Sequence, residues 1–203
     1  RRVLFRSNLL IFIVAGHETT ALALSWALYL LAVDEAAQRR ARAEAQEVLG
    51  DRAATADDLA RLPFLRQVLE ETLRLYPPAG FLARQAVEAD RIGALEIRPR
   101  QTVILPVYAM HRSRRLWDDP DSFEPERFAP EAGKGRHRLA FLPFGAGPRI
   151  CIGMGFAMME AQIILATLVA RFAFGLTSGT RPRPEMVLTL RPGGGVPLRL
   201  RRL

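Results

Sequence analysis

The chain has 203 residues, of which 49% are hydrophobic and 25% are charged, a composition typical of one globular domain. These values exclude a mainly disordered, collagen-like or disulfide-stapled chain. The net charge is +8, and only Lys134 among the 29 basic residues is a lysine. Such a bias toward arginine indicates codon usage as much as an anionic partner. The single cysteine, Cys151, excludes an intramolecular disulfide and favours a reducing, cytoplasmic location.

An apolar segment, Leu9 to Val33, is long enough to span a bilayer, and arginines precede it as they precede a signal peptide's apolar region. His17 and Glu18 interrupt its middle, however, and ionisable side chains are costly at the centre of a bilayer. A central helix of a soluble core gives the same pattern without that cost. We therefore predict a core helix from about Ser7 to Val33 and no membrane span.

The rest of the chain predicts further helices and a small amount of β structure. Asp34 and Gly50 are a typical N-cap and C′ pair around a polar helix. Leu95–Ile97 and Thr102–Leu105 are predicted to pair with each other as strands, and a Pro- and Gly-rich tail predicts more short strands. The remaining helical segments are predicted at residues 57–62, 64–75 and 154–174.

The segment from Phe144 to Gly153 surrounds the only cysteine. Its glycines let the backbone approach a bulky group closely. Cys151 lies just before a predicted helix, whose free N–H groups and positive dipole end would stabilise a thiolate. Arg149 adds positive charge near an anionic ligand, and Phe144 could shield the sulfur from water.

The alternatives for this segment are a buried structural cysteine, a cysteine protease and a zinc site. A buried structural role is the usual one for a lone cysteine. A protease is less favoured because no neighbouring pattern supplies a histidine base and a third orienting group. A zinc site lacks further cysteines at ligand spacing. The glycines, the arginine and the following helix together favour a ligand-binding thiolate.

The pattern Phe144-x-x-Gly147-x-Arg149-x-Cys151-x-Gly153 resembles the haem-ligand signature of the cytochrome P450 haem-thiolate monooxygenases. This resemblance implies that Cys151 is the axial thiolate ligand of a haem b iron. It implies that Arg149 pairs with a haem propionate and that Phe144 tunes the environment of the sulfur. Gly147 and Gly153 would belong to the same cofactor-binding loop.

A second motif, Glu71-Thr72-Leu73-Arg74, places Glu71 and Arg74 on one helix face, where they can pair. A surface pair is the alternative, and such pairs contribute little to stability. In the family that the chain resembles, this pair is internal and is joined by an arginine from a downstream loop. The resemblance assigns that loop to Pro125–Phe128 and the third structural member to Arg127.

A third motif, Ala15-Gly16-His17-Glu18-Thr19-Thr20, resembles the oxygen-activation segment of the family's long central helix. Glycine within a helix costs about 1 kcal/mol relative to alanine, so Gly16 needs a reason. Ala15 and Gly16 would leave room for dioxygen and let the helix loosen, while Thr19 can bond back to a carbonyl. Glu18 and Thr19 would then relay protons. A buried polar kink without function is the alternative.

Other positions are assigned by the resemblance alone. Arg84 falls where many relatives place another propionate-binding arginine, although a solvated arginine has the same spacing. His111, Arg112 and Trp117 fall in a stretch with structural roles. The resemblance also places a set of residues in the substrate pocket, although apolar core positions would look the same in the sequence. The set is Phe12, Ala15, Gly16, Ala79, Phe81, Leu82 and Leu188.

The resemblance covers residues 9–203 and implies a mainly α fold with a small β region, the C-terminal half of the cytochrome P450 fold. Complete members are much longer, so residues 1–8 are expected to be a truncated start. The implied activity is hydroxylation of an apolar small molecule with dioxygen and two electrons, in a bacterial cytoplasm. The alternative is a non-catalytic remnant or a haem-binding module without turnover.

The resemblance also implies an electron donor of the ferredoxin or flavin-reductase type. Lys134, Arg136 and Arg138 precede the cysteine loop and are predicted to give it a basic docking face for an acidic donor. A solvated loop whose charges only aid solubility is the alternative. No nucleic-acid partner is expected, because the arginines are spread along the chain without a basic-aromatic module.

Overall fold

A computed structural model describes residues 2–177 and 181–203, with side chains from residue 5 onward. Arg1 therefore lies outside the described residues. The fold is mainly helical, as predicted. Its helices are α1 (Arg2–Val33), α2 (Glu35–Leu49), α3 (Pro63–Leu75), α4 (Val107–Met110) and α5 (Met154–Arg171), with short 3-10 turns at Ala56–Arg61, Pro125–Phe128 and Gly147–Arg149.

The β structure consists of short antiparallel pairs in which β1 pairs with β4, β2 with β3, β5 with β8 and β6 with β7. The strands are β1 (Leu82–Gln85), β2 (Asp90–Ile92), β3 (Leu95–Ile97), β4 (Thr102–Leu105), β5 (Phe172–Leu176), β6 (Arg183–Met186), β7 (Leu190–Gly193) and β8 (Leu198–Arg202).

Helix α1 begins at Arg2, earlier than the predicted Ser7, and its two halves have different surroundings. From Thr20 onward the helix enters the core, where Trp26 and Leu31 are fully buried against α2, α3 and α5. By length and composition alone, α1 from Phe5 and α5 are apolar enough to cross a membrane. The second half of α1 is packed inside the protein, as predicted for a core helix, whereas the first half is exposed.

Two local predictions are confirmed by the ends of α2. The Asp34 carboxylate accepts a hydrogen bond from the Ala37 N–H at 2.9 Å, which satisfies a free donor of the first turn. Gly50 closes the helix with a φ of 55°, a conformation that favours glycine, and its N–H donates to the Gln46 carbonyl.

The predicted pairing of Leu95–Ile97 with Thr102–Leu105 is wrong. The first segment, β3, pairs with β2 through a two-residue connection in which Gly93 has a φ of 59°. Such a short glycine-containing turn favours a local hairpin over a longer connection. Thr102–Leu105 pairs instead with β1.

The predicted end of the last helix near Phe174 is also wrong, since α5 ends at Arg171. Phe172–Leu176 forms β5, which pairs with β8 at the C-terminus. The apolar residues that follow Arg171 fit the inward face of either a helix or a strand. Pairing with β8, which lies far along the chain, stabilises the strand.

Gln38 joins three elements inside the core. Its side-chain amide donates to the carbonyl of Leu31 at 2.7 Å and to that of Phe174 at 2.9 Å, and its carbonyl oxygen accepts from the Phe174 N–H at 2.9 Å. One side chain thus connects the end of α1, the first turn of α2 and β5.

Replacement of Gln38 by leucine should lower the free energy of unfolding by about 2–4 kcal/mol, because buried groups of Leu31 and Phe174 lose their partners. Urea unfolding of the chain measures the loss. Gln46→Leu on the same helix is the matched control, since Gln46 is exposed and, among the described residues, its side chain makes one hydrogen bond, to the Ala170 carbonyl at 3.1 Å. Equal losses in the two variants would contradict the prediction.

Candidate functional site

A buried ion pair lies on α3. Glu71 and Arg74 both have 0% exposure, and Arg74 holds the carboxylate through Nε at 2.6 Å and through Nη2 at 2.7 Å. Burial raises the pKa of Glu71, and the hydrogen bonds from Arg74 oppose that shift. The pair is therefore an internal one, unlike the solvated surface pair that was its alternative.

The other guanidinium donors of Arg74 bind the backbone of the long loop after α4. Nη1 donates to the carbonyls of His111 at 2.9 Å and Pro120 at 2.6 Å, and Nη2 donates to that of Ser122 at 3.0 Å. All five N–H groups of an arginine are thereby used. Arg74 orders a loop that has little regular structure of its own.

Arg127 also reaches this carboxylate. Its Nε lies 3.5 Å from Glu71 Oε1, and its Nη2 contacts Glu124 at 3.0 Å and donates to the Asp119 carbonyl at 2.8 Å. The Glu124 N–H also donates to Glu71 Oε1, at 2.9 Å. The structure thus brings Glu71, Arg74 and Arg127 together in one charge cluster.

His111 links this charge cluster to the segment that leads into the cysteine loop. Its Nε2 accepts the Leu142 N–H at 2.8 Å, so its Nδ1 carries the proton and donates to the Arg74 carbonyl at 3.1 Å. The ring is fully buried, and burial lowers the pKa of His111 to about 4. The imidazole is therefore neutral at neutral pH.

Arg136 has a structural environment rather than the solvated one expected of a docking charge. Its guanidinium stacks on Trp117 at 4.4 Å and on Phe128 at 5.1 Å from the ring centres, and it donates to the Arg127 carbonyl at 2.5 Å. Burial lowers the pKa of Arg136. Of the three predicted docking charges, Lys134 and Arg138 remain exposed.

The loop before α5 folds back on itself around Cys151. Gly145 and Gly147 have φ values of 73° and 72°, which favour glycine, and the Cys151 N–H donates to the Phe144 carbonyl at 2.9 Å. Gly153 lies beside the sulfur, since a Cβ there would be 3.9 Å from Sγ. Cys151 is exposed, so the alternative of a buried structural cysteine does not hold.

Strand β1 lies next to this loop, because a Cβ on Gly145 would lie 3.5 Å from the Leu82 side chain. Arg84 on the same strand is exposed and donates to the carbonyl of its neighbour Ala83 at 2.8 Å. Arg149 is exposed as well, and in the described part of the chain neither arginine forms an ion pair. Both guanidinium groups are thus free to bind an external anion.

The motif on α1 keeps a regular helix. Thr19 Oγ1 donates to the Ala15 carbonyl at 2.7 Å, the predicted back-bond, but the helix does not loosen at Gly16 as expected. A back-bond shares the carbonyl with the helical N–H and leaves the helical hydrogen bond in place. A Cβ on Gly16 would meet nothing within 4 Å, so the surface beside it is open.

The Glu18 carboxylate accepts a hydrogen bond from the Thr189 hydroxyl at 2.8 Å. Thr189 precedes β7, whose first residue, Leu190, accepts a hydrogen bond from the Trp26 indole at 3.3 Å. No local signal in the sequence predicts Thr189 as a neighbour of Glu18, because the two residues are 171 positions apart.

Most of the predicted pocket residues are exposed. Phe12 and Leu188 are 65% and 77% exposed, and Phe81 is also exposed, which contradicts the alternative of core positions. A separate cleft of about 420 Å³ between α3 and α5 includes Phe144 but none of the predicted pocket residues. The predicted pocket set consists of Phe12, Ala15, Gly16, Ala79, Phe81, Leu82 and Leu188, of which Ala79 and Leu82 are half-buried.

The residues around Cys151 fit a metal cofactor that takes one ligand from the protein. Within the described ranges, no group of three or more His, Cys, Asp or Glu side chains could hold a metal ion. A single exposed thiol at a helix start can supply one axial ligand and leave the remaining positions to a macrocycle. Arg84 and Arg149 fit the carboxylates of such a group.

Comparison with known proteins gives one family. The sequence profile described as Cytochrome P450 matches residues 5–196. The chain is 46% identical to a cytokinin hydroxylase of Arabidopsis thaliana over 195 residues and 43% identical to human cytochrome P450 4F12 over 193 residues. It is 42% identical to cyclooctatin synthase of Streptomyces melanosporofaciens over 182 residues.

These alignments cover 95%, 93% and 89% of the chain, respectively, but only 37%, 37% and 40% of the relatives. The chain thus spans about two fifths of the length of the curated relatives that it matches. Plant, human and bacterial proteins all occur among them, so they do not single out a source or a cellular location.

Replacement of Arg74 by lysine should lower the free energy of unfolding by about 3–5 kcal/mol, since lysine cannot replace the paired bonds to Glu71 or all the carbonyl contacts. Arg66→Lys on the same helix is the control, because Arg66 pairs with Glu70 at 3.1 Å and is largely exposed. That change should cost less than about 0.5 kcal/mol in the same urea titration. Similar losses would show that the loop contacts of Arg74 contribute little.

Proposed function

Because the chain belongs to the cytochrome P450 family, we propose that it is the haem-binding and oxygen-activating part of a haem-thiolate monooxygenase, with Cys151 as the ligand. It would correspond to the C-terminal half of that fold, with α1 as the oxygen-activation helix. The observation that carries this proposal is the exposed thiol of Cys151, which lies at the end of a glycine-shaped loop just before α5.

When bound, haem b would supply the iron at which dioxygen is cleaved and one oxygen atom is transferred to an apolar substrate. Cys151, which lies just before α5, would bind this iron as a thiolate. Phe144 would exclude water from the sulfur. Gly147 and Gly153 leave the loop free of side chains beside the cofactor.

Arg84 and Arg149 would hold the two propionates. Both guanidinium groups are exposed, one on a strand beside the cysteine loop and one within that loop. A guanidinium binds a carboxylate through charge-assisted hydrogen bonds with a defined geometry, so these contacts would also orient the cofactor.

The proton path would run through Glu18 and Thr19. The Thr19 hydroxyl can leave the Ala15 carbonyl to donate to a water molecule or to dioxygen, for which Ala15 and Gly16 leave space. The Thr189 hydroxyl holds the Glu18 carboxylate and could restrict its movement. The substrate would contact the apolar set Phe12, Ala79, Phe81, Leu82 and Leu188.

The electrons would come from a donor of the ferredoxin or flavin-reductase type. Lys134 and Arg138 are the exposed charges that could steer an acidic donor, whereas the stacked Arg136 would not take part. We place the protein in a bacterial cytoplasm, and its lone cysteine supports a reducing compartment.

A second candidate function is haem binding without turnover. It is favoured by the exposed apolar residues in the first half of α1. NAD(P)H-dependent oxidation of a substrate by the haem-loaded chain with its donor would decide between the two.

Replacement of Cys151 by serine should abolish the red-shifted Soret band of the reduced CO complex, because a neutral alcohol does not supply a thiolate ligand. The spectrum is measured on the haem-supplemented chain, alone and fused behind the N-terminal part of the Streptomyces relative. Met154→Leu, which removes a nearby sulfur, is the control and should keep the band. A band that persists without Cys151 would refute the ligand assignment.

Replacement of Thr19 by alanine in the same fusion should leave substrate affinity nearly unchanged and divert reducing equivalents to hydrogen peroxide, because proton delivery loses its hydroxyl. The ratio of product formed to NAD(P)H consumed measures this coupling. Thr19→Ser keeps the hydroxyl and should retain most of the coupling. Unaltered coupling in Thr19→Ala would remove Thr19 from the mechanism.

A further inference from the structure

We propose that His111 is a positioning residue that fixes the loop of Cys151 to the charge cluster of α3, through one imidazole nitrogen on each side. The functional meaning of this inference rests on the proposed role of Cys151 as a ligand. The tether itself is a property of the chain without its cofactor.

The first step is the double use of the imidazole. Nδ1 donates to the Arg74 carbonyl at the C-terminal end of α3, and Nε2 accepts the Leu142 N–H. Both partners are backbone groups, so the ring fixes the path of two main-chain segments rather than the position of two side chains. It is fully buried and therefore has no competing water.

The second step leads from Leu142 to the cysteine. The Leu142 carbonyl accepts the Gly145 N–H at 3.1 Å, which closes the turn that opens the loop. Phe144, inside that turn, accepts the Cys151 N–H at 2.9 Å. A shift of Leu142 would therefore displace Gly145 and Phe144, and through the hydrogen bond to Phe144 it would also displace Cys151.

The third step is the anchoring of His111 itself. Its N–H donates to the Val107 carbonyl at 2.9 Å, its carbonyl accepts Arg74 Nη1 at 2.9 Å, and its ring stacks on Phe141 at 5.4 Å. The backbone of His111 is thus held by Val107 and Arg74, which lie outside the cysteine loop. Phe141, by contrast, belongs to the segment that His111 tethers.

A buried histidine that only fills space is the competing explanation, and variants that differ in the hydrogen-bonding atoms they offer separate it from a tether. Asparagine can place an amide near Nδ1 and keep the bond to Arg74, but it offers no acceptor to Leu142. Glutamine can place its carbonyl near Nε2 and keep the bond from the Leu142 N–H. Because asparagine is one methylene smaller than glutamine, His111→Leu is the packing control: leucine fills at least the volume of glutamine but offers no acceptor, so it should lose protection like His111→Asn if the hydrogen bond matters and keep it if only volume matters.

The primary measurement is amide hydrogen exchange in the haem-free chain. We expect His111→Asn to lose protection at Leu142, Gly145 and Cys151 by about tenfold or more, and His111→Gln to stay near the native values. Unchanged protection in His111→Asn, or equal losses in both variants, would overturn the tether. Leu142→Pro removes the N–H donor while His111 stays intact and should reproduce the loss at Gly145 and Cys151; native protection there would likewise overturn it.

The second readout is the reduced CO spectrum of the haem-loaded protein. The fraction with the red-shifted thiolate band should fall in His111→Asn and be retained in His111→Gln, and equal fractions would overturn the positioning role. The two proposals fail differently: loss of the tether appears in the haem-free chain, whereas a native chain without any thiolate band contradicts the function of Cys151 and leaves the tether in place.

Discussion

The buried guanidinium of Arg74 is the constraint on which the surrounding loops depend. Removing an ion from water costs several kcal/mol, so each of its donors must find an acceptor inside the protein. Glu71 satisfies two of them, and carbonyls of a segment with little secondary structure satisfy the rest. The cost of burying the charge is thereby offset by hydrogen bonds that order a loop, and that loop carries His111 toward the cysteine segment.

The same region uses other charges structurally. Arg136 looks like a solvated docking residue in a basic stretch, yet its neighbours in space are the Trp117 and Phe128 rings. A weakly hydrated guanidinium can stack on aromatic faces at little cost, whereas the exposed ammonium of Lys134 pairs with the exposed Glu131 carboxylate. The net charge of the loop therefore overstates the charge available to a partner, and only the exposed part can steer association.

The sequence predicts best what depends on neighbours along the chain. The caps at Asp34 and Gly50 and the face shared by Glu71 and Arg74 follow from spacing within one or two helical turns. Strand pairing does not follow from such spacing, because β3 forms a short local hairpin with β2 instead of pairing with the predicted partner, β4. The contact of Glu18 with Thr189 cannot be predicted from the sequence either, since a half-buried threonine between two strands carries no signal of the element it contacts.

Helix α1 shows how one apolar segment can have two roles. Its polar triplet from His17 to Thr19 marks the point where the helix passes from open surface into the core. After that point, residues such as Trp26 contribute to stability; before it, Phe12 and its neighbours expose apolar area that a soluble surface rarely leaves uncovered. That exposed stretch includes residues assigned to the substrate pocket and adjoins the proposed proton relay. The exposed apolar surface is unfavourable in water, and for the same reason it is the surface best suited to bind an apolar ligand.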